Sequence, residues 1–135
     1  MFTRSQKVLF KHCDPAGIVF YPRYFEMIND TVEAYFEERL DYPFHELIPA
    51  HGVPTVAIDT EFHAPSRHGD ALVISLVVTR VGHSSVTLKQ QALCGAEPRF
   101  TTTLTLVHVD QSGSPQAWPE PVVSKMRRDQ EGTDQ

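Results

Sequence analysis

The chain has 135 residues, 41% of them hydrophobic and 21% charged, which suits one domain with a real apolar core. Its formal net charge of −5 speaks against nucleic acid as the main partner, because phosphate backbones are bound by basic surfaces. No run approaches the roughly 18 apolar residues that span a bilayer, and the N-terminus MFTRSQKVLFK is too polar for a signal peptide.

In chain order, Arg4 to Lys11 reads as a first strand around Val8, Leu9 and Phe10, broken by Pro15 and Gly17. Pro22 stands where helices accept proline, in the first turn. From there Tyr24, Met27, Ile28, Val32, Tyr35, Phe36 and Leu40 recur at three- and four-residue steps, predicting a helix about 25 Å long with one apolar face. Pro43 is the expected stop, and Phe44 to His51 a short helical turn closed by Gly52. After Pro54 the period becomes two. Val56, Ile58, Thr60 and Phe62 fall on one face of a strand, opposite a strongly polar face. Ala64 to Asp70 is a loop. Ala71 to Val81, nearly all apolar or β-branched, is a central strand. Gly82-His83-Ser84 turns into a strand over Ser85 to Cys94, Gly95 to Pro98 turns again, and Phe100 to Val109 is the last strand. Val122 to Met126 is a final helical turn. One domain is expected over residues 1–126, with 127–135, including Arg127 and Arg128, as a polar, disordered tail.

One strand, one long helix and a four-strand meander make an α+β layer arrangement. A single helix cannot cover both faces of the sheet. It is expected to cover the concave face, with partner subunits covering the rest, so a dimer or larger assembly is predicted.

The chemistry-bearing candidate is Asp14, a lone carboxylate on a tight loop ahead of the helix. Helix N-termini offer unpaired N–H groups and the positive end of a dipole, and a carboxylate beside them can serve as base or nucleophile. Asp before Pro is also a plain turn former. The other candidates are weaker. His12 reads as a second polar site group or a satisfied structural residue. Cys13 and His12 are adjacent, and adjacent residues of an extended chain point to opposite faces, so they do not make a nucleophile–base pair. The two cysteines are too few for a disulfide framework, and the seven histidines show no close metal-ligand spacing. No metal and no cofactor are expected, and the expected location is the cytoplasm.

The run Asp14-Pro15-Ala16-Gly17-Ile18-Val19-Phe20-Tyr21-Pro22, with aromatics at Tyr24-Phe25, resembles the active-site loop of the 4-hydroxybenzoyl-CoA thioesterase family. Phe62 to Asp70, ending in Gly-Asp, is similar to that family's strand–loop pattern, and Val81 to Ser85 to its next hairpin. The resemblance covers roughly Lys7 to Val109. It implies a hotdog fold: a curved antiparallel sheet of about five strands wrapped around one long helix, with sheets pairing edge to edge in dimers and active sites at the dimer interface. It also implies an acyl-CoA thioesterase, acting on an aromatic (hydroxybenzoyl- or benzoyl-like) or short-chain acyl group. Asp14 is then the catalytic carboxylate, and the backbone N–H of Tyr21 polarises the thioester carbonyl.

Thioester hydrolysis needs charge stabilisation on the carbonyl oxygen and a nucleophile or an activated water. Thiolate is a good leaving group, so one carboxylate and one oxyanion donor suffice. Gly17, Phe20, Thr60 and Phe62 are candidate substrate-binding residues, with the wall that holds Thr60 and Phe62 expected from a neighbouring subunit. The chain carries Gly82-His83-Ser84 where some relatives place several basic residues. Arg67 and Arg80 are therefore the candidates for the CoA phosphates, matching them bidentately, and an acyl carrier protein is a possible alternative carrier. Two other readings stay open: a hotdog hydratase or dehydratase, against which the lack of a histidine between Asp14 and His45 counts, and a non-catalytic acyl-CoA-binding protein. A homodimer or homotetramer is expected in each case.

Overall fold

The computed structural model describes residues 1–130. Five strands form one antiparallel sheet: β1 (Phe2–Lys7), β3 (Thr55–Phe62), β4 (Ala71–Val81), β5 (Ser85–Cys94) and β6 (Glu97–Val107), in the order β1-β4-β5-β6-β3. The long helix α1 (Pro22–Glu38) packs on one face. Two short strands, β2 (His51–Gly52) and β7 (Val109–Asp110), pair apart from the main sheet. A short α2 (Phe44–Leu47) follows α1, and α3 (Glu120–Arg128) closes the chain. This is the expected hotdog arrangement. Among the described residues no helix is long and apolar enough to cross a membrane.

The core lies between α1 and the inner face of the sheet. Along β4, Leu72, Ile74, Leu76 and Val78 are buried; along β5, Val86, Leu88, Gln90 and Ala92; along β6, Phe100, Thr102, Leu104 and Leu106. The alternation, broken only where Arg99 is buried next to Phe100, follows from side chains pointing to opposite faces at successive steps. Tyr24, Met27, Ile28, Val32, Tyr35 and Phe36 of α1 fill the space above them. Apolar packing sets the distance of the helix from the sheet, and polar ties set its position along it. Gln90 Nε2 donates to the Ile28 carbonyl at 3.1 Å, and Arg4 on β1 donates to Thr31 Oγ1 at 2.7 Å and to the Met27 carbonyl at 3.0 Å.

Element boundaries differ from expectation where local hydrogen bonds intervene. The first strand ends at Lys7, because the His12 imidazole accepts the Leu9 N–H at 2.8 Å and curls Leu9 to His12 into a 3-10 turn. The helix ends at Glu38, ahead of Pro43. Asp41 takes the left-handed conformation at φ 52°, and the Tyr42 N–H closes onto the Phe36 carbonyl at 2.8 Å, a C-terminal cap that needs no proline. In β3 a bulge lies between Thr55, opposite Leu106, and Ala57, opposite Thr105. Val56 is the extra residue and is 59% exposed, so it does not share the face of Ile58, Thr60 and Phe62.

The C-terminal segment carries the largest revision. Trp118, Val122 and Met126 are core residues, and α3 lies along β4. Beyond it, Asp129 accepts hydrogen bonds from the Tyr35 hydroxyl at 2.9 Å and from Arg39, and its carbonyl accepts the Val78 N–H at 3.3 Å. Residues 127–130 are therefore fastened to α1 and β4. The rest of the expected tail, 131–135, lies outside the described residues.

Candidate active site

The backbone between His12 and Tyr21 folds back on itself. Cys13 pairs with Val19, the Asp14 N–H donates to the Ile18 carbonyl at 2.9 Å, and the Phe20 N–H donates to the His12 carbonyl at 2.9 Å. At the tip the Gly17 N–H donates to the Asp14 carbonyl at 2.9 Å, with Gly17 at φ 84°. Pro15 presets the first central dihedral of this turn and Gly17 supplies the left-handed residue that closes it. His12 pins the base of the loop. It is buried, and burial, helped by the charge of Lys11, pushes its pKa down, so a neutral ring with Nδ1 as acceptor fits its bond to Leu9. Cys13 is partly buried, with its Sγ directed at the Leu9 carbonyl at 3.7 Å.

Asp14 Oδ1 accepts the Ala16 N–H at 2.9 Å, an Asx turn that holds the carboxylate in one orientation. Its Oδ2 has no partner among the described residues. The same holds for the N–H of Tyr21. Tyr21 is already helical, at φ −53° and ψ −33°, and the next donors are taken: the Arg23 N–H by the Phe20 carbonyl at 2.8 Å and the Tyr24 N–H by the Tyr21 carbonyl at 3.0 Å. With Pro22 contributing no donor, the Tyr21 N–H is left free at the positive end of α1. One carboxylate oxygen and one backbone donor are thus open at the two ends of one hydrogen-bonded loop.

An open cleft of about 560 Å³ adjoins the helix start, lined by Val19, Tyr21, Tyr24, Phe62 and the turn from His63 to Pro65. Its walls are aromatic. The Phe62 ring stacks on Tyr24 at 5.5 Å and meets Tyr21 and Phe25 edge-on, each at 6.1 Å, while Tyr24 rests on Phe100 at 5.3 Å. Such rings suit a planar apolar guest. Asp14 itself does not line this cleft; Val19 and Tyr21 of its loop do.

The remaining candidate residues fall into separate places. Gly17 forms the turn, and Phe20, 50% exposed, packs edge-on against Tyr21 at 5.7 Å. Thr60 is half-buried with its hydroxyl engaged by Thr102 Oγ1 at 2.7 Å, which leaves it a strand-to-strand tie in this chain. Phe62 meets Tyr21, Tyr24 and Phe25 at the start of α1 of its own chain. Arg67 is exposed beside the Asp14 loop, through a backbone bridge to Ile18. Arg80 lies nine residues beyond Ala71 on β4, about 30 Å along the strand at 3.3 Å per residue.

Sequence reasoning missed the buried polar group behind the cleft. Ser66, fully buried, accepts hydrogen bonds from the Tyr24 hydroxyl at 2.8 Å and from Arg99 Nη1 at 3.0 Å. Arg99 Nη1 also meets Asp70 Oδ2 at 2.7 Å, and Arg99 Nε meets Glu97 at 2.7 Å. The Arg67 N–H and the Arg99 guanidinium hold the Asp70 carboxyl below the usual carboxylate range. The signal available in the sequence was an arginine next to Phe100 in a threonine-rich strand, which by itself does not reveal burial. No group of three or more metal-ligating side chains is present among the described residues.

A family model described as the thioesterase-like superfamily matches residues 8–126. The chain is 28% identical over 79 residues to a 4-hydroxybenzoyl-CoA thioesterase from Pseudomonas sp. (strain CBS-3), covering 56% of each chain. It is 26% identical over 80 residues to a 1,4-dihydroxy-2-naphthoyl-CoA hydrolase from Synechocystis sp. (strain ATCC 27184 / PCC 6803 / Kazusa), covering 58% of each. The matched part thus spans a little over half the length of these relatives. Among solved structures, a 1,4-dihydroxy-2-naphthoyl-CoA thioesterase from Synechocystis superposes with a TM-score of 0.86 at 18% identity, covering 93% of this chain and 95% of that one, which establishes a shared fold. From Val8, just beyond β1, to the buried Met126 of α3, the chain belongs to the thioesterase-like superfamily.

Proposed function

We propose that the protein is a thioester hydrolase that cleaves an aromatic acyl-CoA to the free acid and CoA. The observation that carries this reading is the pair of open groups on one rigid loop, Asp14 Oδ2 and the Tyr21 N–H, beside an aromatic-walled cleft. The aryl group enters the cleft against Tyr24 and Phe62, and the thioester carbonyl oxygen meets the Tyr21 N–H. A preorganised donor at that oxygen is worth about 2.7–4 kcal/mol in the transition state. Asp14 then attacks the carbonyl carbon, giving a mixed anhydride that water opens, or removes a proton from an attacking water. In either route CoA leaves as the thiolate. No general acid is required, because thiolate is a stable leaving group.

Two curated relatives whose names carry aromatic acyl-CoA substrates, hydroxybenzoyl and dihydroxynaphthoyl, support an aromatic guest here. Arg67, exposed next to the loop, is placed to meet a phosphate of the carrier, whereas Arg80 serves only if another subunit brings it there. We further propose a homodimer or homotetramer. The edge strand β3 is exposed along nearly its whole length, with Ile58 43% and Phe62 45% exposed on its inner face, and a second copy would cover it. The described cysteines are free, which fits a reducing compartment such as the cytoplasm. Dehydratase chemistry is disfavoured because α1 contains no histidine.

The test is thiol release from a panel of benzoyl-, hydroxybenzoyl-, naphthoyl- and short aliphatic acyl-CoAs. Preference for the aroyl members is expected. No turnover of any member, with binding retained, would convert the reading to a non-catalytic acyl-CoA-binding protein. Single turnover in labelled water tests the nucleophilic route: label recovered in Asp14 marks a mixed anhydride that water opened at the Asp14 carbonyl.

A further inference from the structure

Ser66 connects three parts of the molecule through two of its atoms. Its carbonyl accepts the Val19 N–H at 2.8 Å, on the returning arm of the Asp14 loop. Its hydroxyl oxygen accepts the Tyr24 O–H from the first turn of α1, at 2.8 Å, and Arg99 Nη1 from β6, at 3.0 Å. All three side chains are buried: Tyr24 is 4% exposed, Ser66 0% and Arg99 8%. The far end of the network reaches the outgoing arm. Asp70, which binds Arg99, accepts the Arg67 N–H on Oδ2 at 2.9 Å and the Val8 N–H on its carbonyl at 2.8 Å. The backbone bridge between Arg67 and Ile18 closes the circuit.

An apolar filling would hold these elements together at less desolvation cost than a buried arginine. A hydrogen-bonded network adds direction. Apolar contact leaves a helix free to rotate by a few degrees, whereas the Tyr24 hydroxyl, three residues after Tyr21, fixes the rotation of the first turn. That rotation sets where the Tyr21 N–H points, and the Ser66–Val19 bond sets where the Asp14 loop lies relative to it. We infer that Ser66, with Arg99 and Tyr24, is a positioning element for the proposed hydrolysis, registering the Asp14 carboxylate against the Tyr21 N–H without touching the reacting atoms. This inference rests on the thioesterase reading of the same site.

Tyr24→Phe removes one bond and keeps the ring in the cleft; Ser66→Ala removes the hydroxyl that joins Tyr24 to Arg99 and keeps the carbonyl bonded to Val19. For each, kcat on the best aroyl-CoA is expected to fall about 10-fold or more, within the roughly 100-fold that an ångström-scale misplacement costs, with KM changed less than about 2-fold. In an Asp14→Asn background the same substitutions should produce no further loss, since there is no carboxylate left to position. Amide exchange should quicken in the peptide 12–21 and stay unchanged in β4 and β5. Unchanged kcat and unchanged loop exchange in Tyr24→Phe would overturn the inference. So would exchange that rises equally across the sheet, because that is general loosening. If the wild type releases no thiol from any acyl-CoA, the proposed function fails on that result alone. The exchange measurement then decides the registering role independently, and an unaltered 12–21 peptide would sink it.

Discussion

The two ends of the sheet are made of similar parts and do opposite things. Each has a buried histidine, a tight turn and a group of aromatic rings. At the end near β7, His108 has both ring nitrogens occupied, Nε2 by the Tyr42 hydroxyl at 2.8 Å and Nδ1 by the Gln116 carbonyl at 3.1 Å. Its ring is stacked between His51 at 5.1 Å and Trp118 at 4.9 Å, and the Trp118 indole N–H is taken by the Ser85 carbonyl at 2.9 Å. At the other end His12 is held through Nδ1 alone, and the loop it pins leaves Asp14 Oδ2 and the Tyr21 N–H without partners, with Tyr21 lining a cleft that a guest can enter. Hydrogen bonds to His108 and Trp118 stabilise this cluster, because buried polar atoms cost most when unpaired, and His51 Nδ1 is its one buried side-chain nitrogen without a partner among the described residues. On the proposed reading, an open pair held by a hydrogen-bonded frame serves chemistry, because its groups are aimed before the substrate arrives.

The sharpest way to break this contrast is Asp14→Asn. It keeps the Asx-turn oxygen and the loop, and removes only the charge. Turnover is expected to fall roughly 10²–10⁴-fold, as for loss of a base, with the thermal midpoint unchanged. Undiminished steady-state turnover in this variant would refute the assignment.

Trp118→Ala tests the opposite end. Emptying a buried site of that size costs about 3–5 kcal/mol, read by denaturant unfolding. Under conditions where the variant is folded, kcat should match the wild type. A large fall in kcat there would mean the two ends are coupled.

Gly17→Ala sharpens the frame argument. Space is not the obstacle, since nothing lies within 4 Å of an added Cβ, but the backbone stands at φ 84°. A loss of about 1–2 kcal/mol is expected from the left-handed conformation alone, measured by chemical denaturation, together with a lower kcat as the turn shifts Asp14. Phe62→Ala should act on binding. Removing one aromatic contact, worth about 0.5–1.5 kcal/mol, raises KM for aroyl-CoA about 2- to 10-fold and leaves short aliphatic substrates nearly unaffected.

The smallest effect is on pH. Burial lowers the pKa of both His12 and His108 from the ordinary 6.5, so below about that pH the unfolded chain binds more protons than the folded one. Stability should be fully present at pH 8 and decline as the pH falls from about 6.5 toward the folded values. Asp70, lowered from 3.8 by the Arg67 N–H and then by Arg99, adds a second decline as the pH falls below about that value. Unfolding midpoints at pH 8, 6, 4 and 3 check the order; a midpoint that rises between pH 8 and 4 would contradict the histidine assignment, and one that rises between pH 4 and 3 the Asp70 assignment.

Much of the molecule was readable from residues alone. The apolar stripe from Tyr24 to Leu40 specified a helix and the period-two runs specified strands, since these repeats are properties of the backbone. The Asp14-Pro15-Ala16-Gly17 turn and Pro22 were legible for the same reason: proline and glycine restrict or permit particular dihedral angles wherever they stand. Together they placed a carboxylate in front of a helix start.

What depended on contacts distant in sequence was not readable. Trp118 and Met126 became core only because α3 returns to β4, and the turn-rich stretch before them hid it. Val56 left its face through a bulge that exists only in the pairing of β3 with β6. Arg99 is buried because Ser66 and Asp70, 33 and 29 residues away, arrive beside it. The sequence by itself determined the loop, the helix and the alternation, which arise from local sterics. Tertiary structure alone decided which polar groups find partners, because those partners arrive from distant parts of the chain, as Ser66 and Asp70 do at Arg99.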